Sequence, residues 1–213
     1  MATSQSLIAS NELQVMKKKL HSIRLMAAVV AVLTPLFAAN RALPAQELHL
    51  QLDPANSGAD ISLGATLHTV HGSFAMKRGE VHFNPATGVA SGEIVFDATS
   101  GKTGNSSRDI KMHTEVIESQ RYPDIVFHPD RAEGAFSISG RSILQVHGMF
   151  AIHGVAHEVT FPVQLNVEDN TWTAKASFQV PYVNWGMKRP SAPFVRVSET
   201  VQVQFHATGS TNQ

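Results

Sequence analysis

From Leu48 to the end of the chain, apolar residues recur at every second position, and turn residues break the rows every 8 to 12 positions. Such alternation sends one set of side chains to each face of a sheet, which dictates half-buried antiparallel strands. Ile61, Leu63, Ala65 and Leu67 form the first clear row, and Val70, Gly72, Phe74 and Met76 the second. Val81 and Phe83 extend it, Asn84-Pro85-Ala86-Thr87-Gly88 turns the chain, and Ile94 and Phe96 share a face of a strand that begins at Gly92. Cleaner rows run from Leu144 to Ile152, Val159 to Val167, Trp172 to Val180 and Val201 to Ala207, each opposed by Gln, Thr, Ser or His. Roughly eight to ten short strands with one polar face predict an all-β barrel or a two-sheet sandwich.

One stretch, residues 106–129, departs from this pattern. Ser106 or Ser107 can cap a helix, Asp109 follows Ser106 at capping-box spacing, and Ile110, Val116 and Ile117 can share one face. Pro123 ends the helix because it lacks a backbone donor and drives Tyr122 towards an extended conformation. Ile125, Val126 and Phe127 then return the chain to a strand. A single short helical insertion among antiparallel strands reads as a plug or a lid.

Ahead of the strands, Lys17 to Lys19 and Arg24 precede an apolar run from Leu25 to Ala39, with small residues around Ala42 and Ala45. The order basic, apolar, small is that of a secretory signal peptide, and the run is short for a membrane span. Residues 1–45 are therefore expected to be a leader cleaved near Ala45, with Met16 as an alternative start, and residues 46–213 a single β-domain in the periplasm or secreted. The leader holds 5 of the 17 Lys and Arg and 1 of the 17 Asp and Glu, which leaves the rest of the chain at a net charge of −4. A mildly acidic domain without basic clusters is a poor binder of nucleic acid or of an anionic membrane. The chain has no cysteine, so thiolate chemistry and disulfides are excluded.

The inward rows mix large residues such as Phe150 and Trp172 with small ones such as Gly148, Ala174 and Ala176. Two outcomes fit: a barrel that fills itself, or one that holds a slender ligand.

Motifs for chemistry are sparse. Gly101-Lys102-Thr103 imitates the end of a phosphate loop, but the first glycine of that motif falls at Phe96. The strongest metal-ligand candidates, His147 and His153, share a strand face about 20 Å apart and cannot hold one ion together. His157 falls in the following turn, and His68 and His71 flank another, so only long-range folding brings histidines together. No catalytic residue, metal or cofactor is assigned; a histidine-dependent metal-binding or enzymatic role and a partner-binding β-domain are the competing readings. Arg108 is placed either to pair with an acid on a strand or to hold a polar head group, and Asp109 to cap the helix.

An ordered set of fragments runs along the domain: Gly72-x-Phe74, Gly79-x-Val81-x-Phe83, Gly92-x-Ile94, Thr103-Gly104 with Arg108-Asp109, Tyr122-Pro123-x-Ile125-x-Phe127, Gly148-x-Phe150-x-Ile152-x-Gly154-Val155 and Trp185-Gly186-Met187. Together, over about residues 47–208, they resemble the YceI-like family. Two positions depart from the family pattern: Val116-Ile117 stands where many members have two phenylalanines, and Tyr182 where many have an arginine.

The resemblance implies an exported, lipocalin-like antiparallel β-barrel of about eight strands with one short helical insertion. Its lumen would hold a long apolar lipid, such as an isoprenoid quinone, a polyprenyl compound or a fatty-acid derivative, without catalysis. A homodimer and transient contact with a membrane go with that reading. The wall residues expected to touch the ligand are Leu63, Phe74, Phe96, Phe127, Phe150, Phe161 and Phe178. Ile110, Val116 and Ile117 of the lid and Trp185 of the mouth join them, and residues 188–197 form a mouth loop. The energetics favour length: a methylene contributes about 0.8 kcal/mol on burial, whereas association costs on the order of 4 to 15 kcal/mol.

Overall fold

The computed structural model describes residues 47–191 and 194–212; the expected leader lies outside the described residues. Nine strands succeed one another: β1 (Leu48–Leu52), β2 (Gly58–Gly64), β3 (Thr69–Phe83), β4 (Ala90–Asp97), β5 (Asp124–Glu133), β6 (Gly140–Ile152), β7 (Val155–Glu168), β8 (Thr171–Val180) and β9 (Val201–Asn212). Every pairing is antiparallel, and the pairings of β4 with β3 and of β9 with both β1 and β2 close the sheet on itself.

Two of the strands share one place in the wall. Both β1 and β2 lie between β3 and β9, β1 opposite Glu80–Phe83 and β2 opposite Thr69–Ala75. A 3-10 turn at Pro54–Asn56, capped by Asp53 Oδ1 on the amide of Ala55, interrupts what is otherwise one strand. Nine strands therefore occupy eight places, the barrel size at which the interior either fills with side chains or holds one small ligand.

The long rows fall as their alternation predicts, with Phe150, Phe161, Leu165, Trp172 and Ala174 buried inside. Trp172 also donates from Nε1 to the carbonyl of Ser210 at 3.1 Å, so the polar edge of a buried indole is satisfied. Three local expectations are corrected. The first row stops early: β2 ends at Gly64, Ala65 makes only an isolated bridge to Val197, and Leu67 is 81% exposed in the turn. His153 does not share a strand face with His147, because β6 ends at Ile152 and His153 and Gly154 form the hairpin turn with φ of 53° and 78°. His157 accordingly lies within β7. Positive φ at both central residues matches the right-handed twist of a two-residue hairpin. Gly154 is also required by space, since a Cβ there would lie 2.5 Å from the Tyr122 ring.

The insertion between β4 and β5 begins as helix α1 (Ser106–Lys111) and widens into a π turn over Met112–Val116. Its cap is neither serine: Asn105 Oδ1 accepts from the amide of Arg108 at 3.0 Å. Asp109 instead accepts from the amide of Thr103 at 2.8 Å and from the Thr103 hydroxyl, pinning the preceding loop to the helix. His113 anchors the other end, with Nε2 2.8 Å from the carbonyl of Gly101 and Nδ1 2.9 Å from the buried Ser119 hydroxyl.

Candidate functional site

The β2–β3 turn, the β4–β5 insertion, the β6–β7 hairpin and the β8–β9 connection all emerge at one end of the barrel, as antiparallel topology requires. From that end a cavity of about 560 Å³ runs into the lumen. Its deep wall is aliphatic and aromatic, reaching Phe83, Leu144 and Trp172. The polar lining residues, among them His68, Thr103, Asn105, Arg108 and Lys111, come from the connections at the mouth. A volume within the ~300–1,000 Å³ of small-molecule sites, with few polar groups at one end, suits an elongated apolar ligand.

One wall is an aromatic ladder. Phe161 stacks on Phe178 with centroids 4.4 Å apart and leans on Phe127 at 5.3 Å; Phe150 meets Phe178 edge-on at 6.0 Å. These rings come from β5, β6, β7 and β8, neighbours in the sheet whose inward positions alternate in step. Such contacts hold the wall rigid, each adding about 0.5–1.5 kcal/mol beyond the area buried.

Nine of the eleven residues expected at the ligand line this cavity: Leu63, Phe74, Phe96, Val116, Ile117, Phe127, Phe150, Phe161 and Phe178. Two are placed elsewhere. Ile110 is 62% exposed on the outer side of α1. The π turn adds one residue between it and Val116, which rotates the later residues by about 100° relative to a regular helix. Trp185 stands one ring back from the cavity, 6.0 Å from Phe150 and stacked on His157 at 4.1 Å and 4°. Burial depresses the His157 pKa and its Nε2 has no partner, so the ring packs there as a neutral aromatic.

The mouth has a built polar edge. Arg108 donates from Nε to the Thr103 hydroxyl at 2.9 Å rather than to an acid on a strand, and Thr103 in turn donates to Asp109. Tyr182 is buried against the cavity, and its hydroxyl donates to the carbonyl of Ser198 at 2.7 Å, which holds the β8–β9 connection inward. Pro190, Ser191, Val195 and Val197 of that connection complete the rim. Two features of the mouth escaped the sequence reading, the exposed Lys111 at the cavity rim and the Tyr182 anchor; both depend on where long connections settle. Outside the barrel, the pairing of β1 with β3 also gathers His49, Glu80 and His82, a long-range cluster that spacing along one strand does not reveal.

Among the described residues, the chain forms a closed antiparallel β-barrel with an apolar lumen whose polar lining gathers at one mouth. Residues 50–209 match the YceI-like domain, and the chain belongs to that family. Solved structures with the same fold include Burkholderia cenocepacia BcnA, 20% identical with a TM-score of 0.62 over 75% of this chain and 99% of that one. A polyisoprenoid binding domain from Saccharophagus degradans, implicated in plant cell wall breakdown, is 14% identical with a TM-score of 0.60 over 78% and 99%. A Campylobacter jejuni YceI protein is 14% identical with a TM-score of 0.56 over 70% and 88%. No curated protein matches the sequence at a significant level.

Proposed function

We propose that the protein is exported, with its leader cleaved near Ala45, and carries or sequesters a long isoprenoid or fatty-acid-type lipid in the barrel lumen without transforming it. The observation that carries this reading is the lumen itself, about 560 Å³ with an aliphatic and aromatic deep wall and its polar groups gathered at the mouth. The chain enters tail first, and the polar end stops at Arg108, Lys111 and His68. The description of the Saccharophagus degradans domain as polyisoprenoid-binding supports an isoprenoid tail.

Loading from a membrane is part of the same proposal. Leu67, Ile110 and Phe194 are exposed on the connections of the mouth end, and Val155 is exposed where β7 leaves the hairpin turn. Lys102 and Lys111 lie on the β4–β5 insertion at the same end, which offers apolar side chains and, against the acidic average of the domain, cations to an anionic lipid surface. The homodimer belongs to the proposal too, and light scattering on the purified protein measures it.

Displacement of a fluorescent fatty acid by prenols of increasing length tests the reading. Affinity is expected to rise by up to about fourfold per buried methylene until the lumen is full. Affinity independent of chain length would contradict a lumen-bound tail.

A further inference from the structure

His49 and His82 stand directly opposite each other in the β1–β3 register, and Glu80 lies two residues before His82 on the same outward face. Leu48 and Leu50 on one strand, and Val81 and Phe83 on the other, point inward, so the three polar side chains share the outer wall. Their geometry is convergent. His49 Nε2 lies 2.7 Å from Glu80 Oε1 and His82 Nε2 lies 3.1 Å from the same oxygen, while the two imidazoles stack at 4.4 Å and 12°. One ligating atom from each of the three falls within 4.8 Å of the others.

Tetrahedral bonds of ~2.1 Å to imidazole nitrogen and carboxylate oxygen put the ligating atoms roughly 3.4 Å apart. Aiming both Nε2 lone pairs at one ion requires the stacked rings to rotate apart, and side chains that are 32%, 49% and 36% exposed have room to do so. We propose that His49 Nε2, His82 Nε2 and a Glu80 carboxylate oxygen form a binding site for a first-row divalent cation of the zinc class, with water in the fourth position. Two imidazoles and one carboxylate are a ligand set that zinc uses in open, three-ligand sites.

Each histidine bonds Glu80 through Nε2, and on metal binding the ring proton resides on Nδ1 while the Nε2 lone pair takes the cation. Glu93, the β4 neighbour of Glu80, is paired with Arg78 at 2.8 Å, so the two charges offset each other and Glu93 does not compete as a ligand. Elsewhere on the barrel, His147 lies between Asp130 at 2.6 Å and Glu158 at 2.8 Å, one carboxylate on each ring nitrogen. Those two acids face opposite edges of one imidazole and cannot converge on a single ion, so that site serves as an internal control.

A bound cation joins β1 to β3 through three side chains and binds the folded chain only, which raises thermal stability in proportion to occupancy. Chelator-stripped full-length mature protein, titrated with ZnCl₂ in a calorimeter, is expected to show one saturable site per chain. His82→Ala and Glu80→Gln are each expected to weaken it at least ~10-fold, at least the range seen when a mere supporting partner of a ligand is lost, and His147→Ala to leave it unchanged. No saturable site in the wild type, or equal affinity in wild type, His82→Ala and Glu80→Gln, would overturn the proposal. Imidazole proton resonances of the wild-type protein provide a reading independent of variant folding: two histidines shift together at one equivalent of Zn²⁺ if the site exists, and none do if it does not.

Discussion

Lys188 Nζ lies 2.6 Å from Glu115 Oε2, and this ion pair ties the β8–β9 connection to the π turn across the barrel mouth. The hydrogen bond from Lys188, and then its charge, hold the Glu115 carboxyl below the usual carboxylate range. The contact is exposed, so its effect is on opening of the mouth rather than on the fold. Lys188→Ala is expected to speed release of a bound fluorescent fatty acid by up to about fivefold, the range of an exposed ion pair. A depressed carboxylate contributes above its ordinary pKa and is lost as pH falls through the depressed value. Stopped-flow release rates of wild type and Lys188→Ala are therefore expected to differ at neutral pH and to converge in acid.

Ala174 leaves room in the lumen that a larger side chain can take. It faces the cavity from β8, level with Leu165 across the β7–β8 pair. Ala174→Phe is expected to fill existing space rather than displace packed atoms, lowering lipid affinity more than ~10-fold while the melting temperature holds or rises. Displacement titrations and thermal melts on one preparation separate these effects; undiminished affinity would show that the lipid sits elsewhere.

Two isoleucines of the insertion should part company. Ile110 is exposed, whereas Ile117 is buried against the cavity and its amide closes the π turn on the carbonyl of Met112. Ile110→Asp is expected to leave stability and lipid retention unchanged and to reduce co-sedimentation with anionic vesicles. Ile117→Asp places a carboxylate in an apolar wall and is expected to cost more than about 3 kcal/mol in chemical denaturation.

The outer wall carries a pH-dependent contact. Hydrogen bonds donated to Asp130 and then to Glu158 raise the His147 pKa above its ordinary value of 6.5. A raised histidine contributes stability that is complete below the unfolded value and is lost as pH rises through the folded one. His147→Gln is expected to lower the melting temperature at pH 5.5 and to match the wild type in the alkaline range, as a thermal melt series across pH would show.

Where local rules and the fold agree, the chain announces its structure. The rows that contain Phe150, Phe161 and Trp172 alternate along strands of 13, 14 and 10 residues, and their inward faces are the cavity wall. That β1 and β2 share one place was not legible, because it depends on both strands choosing the same partners, β3 and β9, across an intervening 3-10 turn. Ile110 was misplaced because a regular helical period carries no sign of a π turn. Trp185 was misplaced because its position follows from a long connection whose anchors, such as the Tyr182 hydroxyl on Ser198, are set by tertiary contacts. The His49–Glu80–His82 cluster spans two strands about thirty residues apart and becomes visible only once their register is known.

Native mass spectrometry of the protein purified from its own host, followed by organic extraction of the same sample, tests the central claim most directly. One long apolar molecule per barrel is expected, released on unfolding and absent from Ala174→Phe. A wild-type protein that is consistently empty, or that carries its lipid equally well with the lumen filled, would contradict it.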